Sequence, residues 1–177
     1  SVFYQTKARL PWLVIGMIGG IFSSMLLGLF DTTLGAHPEM ALFIPLLAGM
    51  GGNVGVQSSA IAVQGLANNT LDTRHIFRHI LKESVVALIN ATILSLLIYV
   101  YNIFMYDATD IVTLSVPLSL FVVIMFASSF GTLVPLVLDR MNINPAHATG
   151  PFIQIMNDLS GMTFYMGISM LLSNIIL

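Results

Sequence analysis

The sequence predicts an all-α integral membrane protein with five transmembrane helices, its N-terminus cytoplasmic and its C-terminus outside. Three observations carry that prediction. Only 8% of the 177 residues are charged and 56% are hydrophobic, where a soluble domain carries about 25% charged residues. That much apolar surface exceeds what one soluble domain of this length buries. The apolar residues fall in five continuous runs, Leu10–Phe30, Met40–Leu66, Ser84–Tyr106, Thr113–Leu138 and Gly150–Leu177, and each meets the requirement of about 20 residues per crossing. Because the runs do not alternate in short polar and apolar steps, a β-barrel is set aside. Finally, all six basic residues, Lys7, Arg9, Arg74, Arg78, Lys82 and Arg140, fall on one side of a five-span path, which the positive-inside rule makes cytoplasmic. None of the four connectors is long enough to fold alone, so the chain reads as a single membrane domain.

The first run follows Lys7 and Arg9 but is longer than the apolar part of a secretory signal and lacks an A-x-A site, so it is a retained helix. Gly16, Gly20, Ser24 and Gly28 recur every four residues, a stripe suited to close helix packing against this chain or a second subunit. The second run contains LLAGMGGNVGVQSSAIAVQGL. In it Asn53, Gln57, Ala60 and Gln64 share one helical face, and Gly49, Gly51, Gly52 and Gly55 crowd into seven residues. Glycine weakens a helix by about 1 kcal/mol per residue, so carbonyls here are expected to turn toward a cavity. The amide face suits either a pore or polar contacts that hold helices together.

Between the second and third runs, DTRHIFRHILKE places Arg74, Arg78 and Lys82 on one stripe. It reads as a short interfacial helix or as topology anchors with snorkelling stems. His75 and His79 have a metal-compatible spacing but no third ligand. The outer connectors hold Asp31, Glu39, Asp107 and Asp110, either an acidic mouth that concentrates cations or solvated loop carboxylates. With a net charge of −2 the chain offers no surface for tracking phosphates, so nucleic acid is excluded as a partner. Cysteine is absent, which excludes disulfides, thiolate metal sites and cysteine nucleophiles.

The fifth run, GPFIQIMNDLSGMTFYMG, holds Asp158, the only acidic residue well inside any run. An intramembrane carboxylate is costly unless paired or facing water, and no basic residue lies in any run to pair with it. It is therefore a functional candidate, with a buried protonated structural acid as the other reading. Gln154, Asp158, Gly161 and Tyr165 form a polar or small stripe, and Asn157 and Gly161 join Gly52, Asn53 and Gln57 as the expected pore lining. The glycine cluster follows no strand and sits in no βαβ unit, so it is not a nucleotide loop. G-x-S-x-G and H-E-x-x-H are both missing, so neither an enzyme nor a cofactor is expected. Hard divalent cations prefer oxygen ligands, and Mg²⁺ sheds water reluctantly. One carboxylate is too little charge for such an ion, and two copies in a twofold dimer supply a pair.

The segments PLLAGMGGNVGVQSSAIAVQGL and NPAHATGPFIQIMNDLSGMTFYMG, with ARLPWL ahead of the first run, resemble the transmembrane domain of the MgtE magnesium channel/transporter family, related to the solute carrier 41 family. The resemblance covers nearly the whole chain. It implies a five-helix protomer in a homodimer, in a bacterial inner membrane, with a pore lined by spans two and five that passes hydrated Mg²⁺ down its gradient. By position Asp158 matches the family's central pore aspartate, Gln154 adds a carbonyl to the ion's shell, and Asn53 lies near the cytoplasmic gate. Mg²⁺ is then cargo, with other divalent cations as further candidates. Family members typically carry an N-terminal cytoplasmic domain and paired CBS domains; these 177 residues contain neither, as expected of a fragment or of a processed member without the sensor. Two other functions fit the same residues: a proton- or sodium-coupled transporter using Asp158, and a non-transporting membrane subunit.

Overall fold

The computed structural model describes residues 1–71, 76–107, 110–147 and 150–176, and among these every regular element is helical. Helix α1 spans Val2–Gly28, α2 Asp31–Ala36, α3 Ile44–Ala67, α4 Ile76–Met105, α5 Ile111–Arg140 and α6 Pro151–Ile176. Short 3-10 segments, Pro38–Phe43 and Pro145–His147, precede α3 and α6. Helices α1, α4 and α5, and Pro38–Ala67 taken as one, are long and apolar enough to cross a membrane, which makes this a multi-pass membrane protein. At 26 residues α6 has the length as well, but Gln154, Asn157, Asp158 and Ser160 lower the hydropathy of its first half.

Three boundaries differ from the sequence reading. Helix α1 begins at Val2 and runs through Lys7 and Arg9; Ser1 caps it, its Oγ accepting from the Tyr4 N–H at 3.4 Å. The first connector is partly helical, with Asp31 in the first turn of α2, where the helix dipole favours a carboxylate. The expected short interfacial helix is not a separate element. Its residues Asp72, Thr73, Arg74 and His75 lie outside the described residues, and residues 76–83 are the opening turns of α4.

Helix α5 is the centre of the bundle, packed against α3, α4 and α6, while α4 rests on α5 and α1 rests chiefly on α6. Its burial follows from composition: Val116, Leu120, Val123, Ile124 and Ala127 alternate with Ser115, Ser119, Ser128 and Thr132, all buried. The small ones, Ala127 with the serines and Thr132, let neighbouring backbones approach. At Gly131 an added Cβ would press into the backbone of Gly55, 3.0 Å from its Cα and its carbonyl carbon. Nearby, Ser58 Oγ donates to Ser128 Oγ at 3.2 Å. Larger side chains fill the other end of the bundle, where Met40, Leu47, Val112, Val116, Tyr165 and Met166 form one buried cluster. There the Tyr165 hydroxyl donates to the Met40 carbonyl at 3.0 Å, which ties α6 to the segment that leads into α3. Helix α4 is held at the same end by Asn102, whose Nδ2 donates to the Val112 carbonyl at 2.9 Å.

Candidate functional site

The first half of α6 crosses α3 antiparallel, and glycines set how closely. A Cβ at Gly52 would overlap the Gln154 side-chain amide, and one at Gly55 would overlap the Asn157 amide. At Gly51 it would lie 3.0 Å from Val123 and 3.4 Å from the Asn157 carbonyl oxygen. The glycines therefore do not loosen α3. The helix is continuous from Ile44 to Ala67, and the expected turning of free carbonyls toward a cavity is corrected. Close packing against α5 and α6 offsets the low helix propensity of glycine.

Resting over Gly52, Gln154 donates from Nε2 to Asp158 Oδ1 at 3.0 Å. Both side chains are partly exposed. The Asp158 carboxylate has no cationic partner: among the described residues the one ion pair is His37 with Glu39, 3.3 Å apart. Nor do three or more His, Cys, Asp or Glu converge anywhere among them. The site thus supplies one carboxylate per chain, oriented by one amide, with acceptor capacity left for a cation or its water shell.

The predicted face of α3 is open in the single chain, since Asn53, Gln57, Ala60 and Gln64 are all exposed. Gly52, Asn157 and Gly161 lie elsewhere, buried where α3, α5 and α6 pack. Asn157 is 1% exposed, and neither its Nδ2 nor its Oδ1 has a hydrogen-bond partner. Gly161 lies against Leu47, its Cβ position 3.6 Å from the carbonyl oxygen. The stripe read along α6 is consequently divided: Gln154 and Asp158 reach the open site, while Gly161 and Tyr165 enter the core as the helix crosses α3.

The stripe on α1 finds no partner among the described residues. Positions Gly16, Gly20 and Gly28 face open space, Ser24 is exposed, and the packing glycine is Gly19, set against the Ile155 side chain. Sequence reasoning missed Gly19 because it breaks the four-residue spacing. It also missed Gly131, though the neighbouring Ala127 and Ser128 signal a close approach. Of the acids in the first and third connectors, Glu39 pairs with His37 and Asp110 Oδ2 accepts from the Asp107 N–H at 3.2 Å, so both serve their own connectors.

Comparison with known proteins identifies the family. Residues 44–168 match the family model of MgtE, described as a divalent cation transporter, a transporter's description and not an enzyme's. The chain is 33% identical over 165 residues to a protein of Thermus thermophilus named magnesium transporter MgtE, covering 93% of this chain and 36% of that protein. Proteins of the same name from Bacillus subtilis and Enterococcus faecalis are 30% and 29% identical over 96% and 91% of the chain, covering 39% and 35% of their own lengths. The chain therefore spans little more than a third of the relatives it matches. With the family model extending from α3 through the Asp158 segment of α6, this chain belongs to the MgtE family of divalent cation transporters.

Proposed function

We propose that this chain is the transmembrane part of a Mg²⁺ channel in a bacterial inner membrane, working as a homodimer. Each protomer crosses five times, α6 being the fifth span, with the N-terminus cytoplasmic and the C-terminus outside. The pore runs between the two copies and is lined by α3 and α6. The observation that carries this reading is Asp158, a partly exposed carboxylate with one amide neighbour and, among the described residues, no cationic partner. Two copies supply two carboxylates, enough to balance one divalent ion. Asn53 and Gln57 present amides to its water shell from the open face of α3, while Gly52, Asn157 and Gly161 form the packed wall behind. The ion keeps much of its hydration, because the donors are too few to replace six waters on a cation that dehydrates slowly. Asp158 oxygens then stand about 4 Å from the metal, a metal–water length plus a hydrogen bond.

Divalent flux into liposomes containing the purified chain tests the proposal. Mg²⁺ uptake that persists with ionophores present is expected; uptake that collapses when proton or sodium gradients are removed would identify a coupled transporter instead.

Assembly is tested separately. The open stripe Gly16, Gly20, Ser24, Gly28 and the amide face of α3 both need cover in lipid. Cysteines at Leu159, beside Asp158, should crosslink two chains under mild oxidation. An active species of 19.2 kDa measured alone in detergent would overturn the dimer.

Gly52→Ala should leave the fold near wild type, because the Gln154 side chain can swing aside, but should cut flux by about tenfold. The displaced amide no longer orients Asp158, and a hydrogen bond to a charged group is worth roughly 1.5–3 kcal/mol. Unchanged flux with an unchanged melting temperature would take Gln154 out of the site.

A further inference from the structure

We propose that the cavity at the start of α4 binds an anionic phospholipid, its phosphate held by Arg78 and Lys82 and an acyl chain lying along Leu81, Val85 and Val86. The cavity measures about 650 Å³ and is lined by these residues with Thr70, Leu71 and His79. Its depth in the bilayer follows from α4. Residues 84–105 contain no charged side chain and measure about 33 Å along a helix, which matches the roughly 30 Å hydrocarbon core. Lys82 therefore marks the edge of that core, and Arg78, one turn further out, stands among the headgroups. The wall deepens from basic to apolar in the order of a lipid's own polarity.

Among the described residues the cationic end has no counter-charge: neither Arg78 nor Lys82 has a carboxylate partner, and Glu83 does not line the cavity. The imidazole of His79 adds a second sign, because its Nε2 is shielded and lacks a hydrogen-bond partner. The opposite wall is fixed: the N–H groups of Thr70 and Leu71 both donate to the Gly65 carbonyl at 3.0 Å, and Leu71 packs over Gly65. A phosphate with its own choline would bring a compensating cation; a net anionic headgroup such as phosphatidylglycerol does not.

Native mass spectrometry of the full chain in nonionic detergent, titrated with phosphatidylglycerol and with phosphatidylcholine, tests this independently of transport. Two basic residues worth about fivefold each give phosphatidylglycerol a preference of roughly 25-fold. The preference should vanish in R78Q/K82Q and persist in K7Q/R9Q. Val85→Trp, which keeps both charges and fills the apolar half, should lower phosphatidylglycerol binding at least about tenfold, since it removes the burial of several methylenes. All these positions are exposed, and size-exclusion elution checks folding. Equal retention of the two lipids, or full retention by R78Q/K82Q, would overturn the site. Displacement by millimolar inorganic phosphate would reassign it to a soluble anion, and an unaffected Val85→Trp would reduce it to surface charge.

Discussion

Asp158→Asn should lower Mg²⁺ flux by at least about a hundredfold while the protein folds and assembles normally. The amide is nearly the size of the carboxylate, and its oxygen still accepts the hydrogen bond from Gln154 Nε2, so the contact between the first turns of α6 survives. Only charge is lost. A hydrogen bond from metal-bound water to a carboxylate is worth roughly 1.5–3 kcal/mol, and in a dimer two are removed together, about 3–6 kcal/mol. At 1.4 kcal/mol per factor of ten the expected loss runs from a hundredfold upward. Flux in liposomes, compared at equal protein by size-exclusion chromatography, is the measurement. Wild-type flux in a folded Asp158→Asn protein would remove the carboxylate from the mechanism.

Gly131→Val is expected to have the largest effect on stability. The new Cβ would enter the backbone of Gly55, and no rotamer relieves a clash with main chain. Helices α3 and α5 would have to separate, which also pulls apart the Ser58–Ser128 hydrogen bond. Overpacking of a tight interior costs about 1–3 kcal/mol. Loss of the hydroxyl pair adds roughly 1 kcal/mol, while replacing glycine in a helix returns only a few tenths. Gly35→Ala, where nothing lies within 4 Å of the added methyl, is the control and should melt at or slightly above the wild-type temperature. A Gly131→Val protein as stable as this control would mean that the α3–α5 crossing is not held by backbone contact.

Four of the expected spans were legible because membrane insertion is governed by summed hydropathy, which needs no knowledge of neighbours. The open face of α3 was legible for a related reason: Asn53, Gln57, Ala60 and Gln64 differ in polarity from the rest of their helix. Asp158 stood out by its cost alone. Which faces met which was much less readable. Gly16, Gly20, Ser24 and Gly28 and the lone Gly19 have the same chemistry, and only the crossing position of α6 makes Gly19 the contact. Tyr165 continues the polar stripe of Gln154 and Asp158 by spacing, yet it is fully buried with its hydroxyl on Met40, because a straight helix crossing its neighbour at an angle leaves the site within two turns. Start points were also obscure. Charged Lys7 and Arg9 interrupt the apolar run, but backbone hydrogen bonding carries α1 through them.

The seating of α1 has a mechanical consequence. This helix of 27 residues is a rod of about 40 Å that bears chiefly on α6, at Gly19 against Ile155, well past its midpoint. A rod supported there acts as a lever with its long arm toward the N-terminus. Force applied near Ser1 is delivered chiefly to α6, as torque at Ile155, three residues before Asp158.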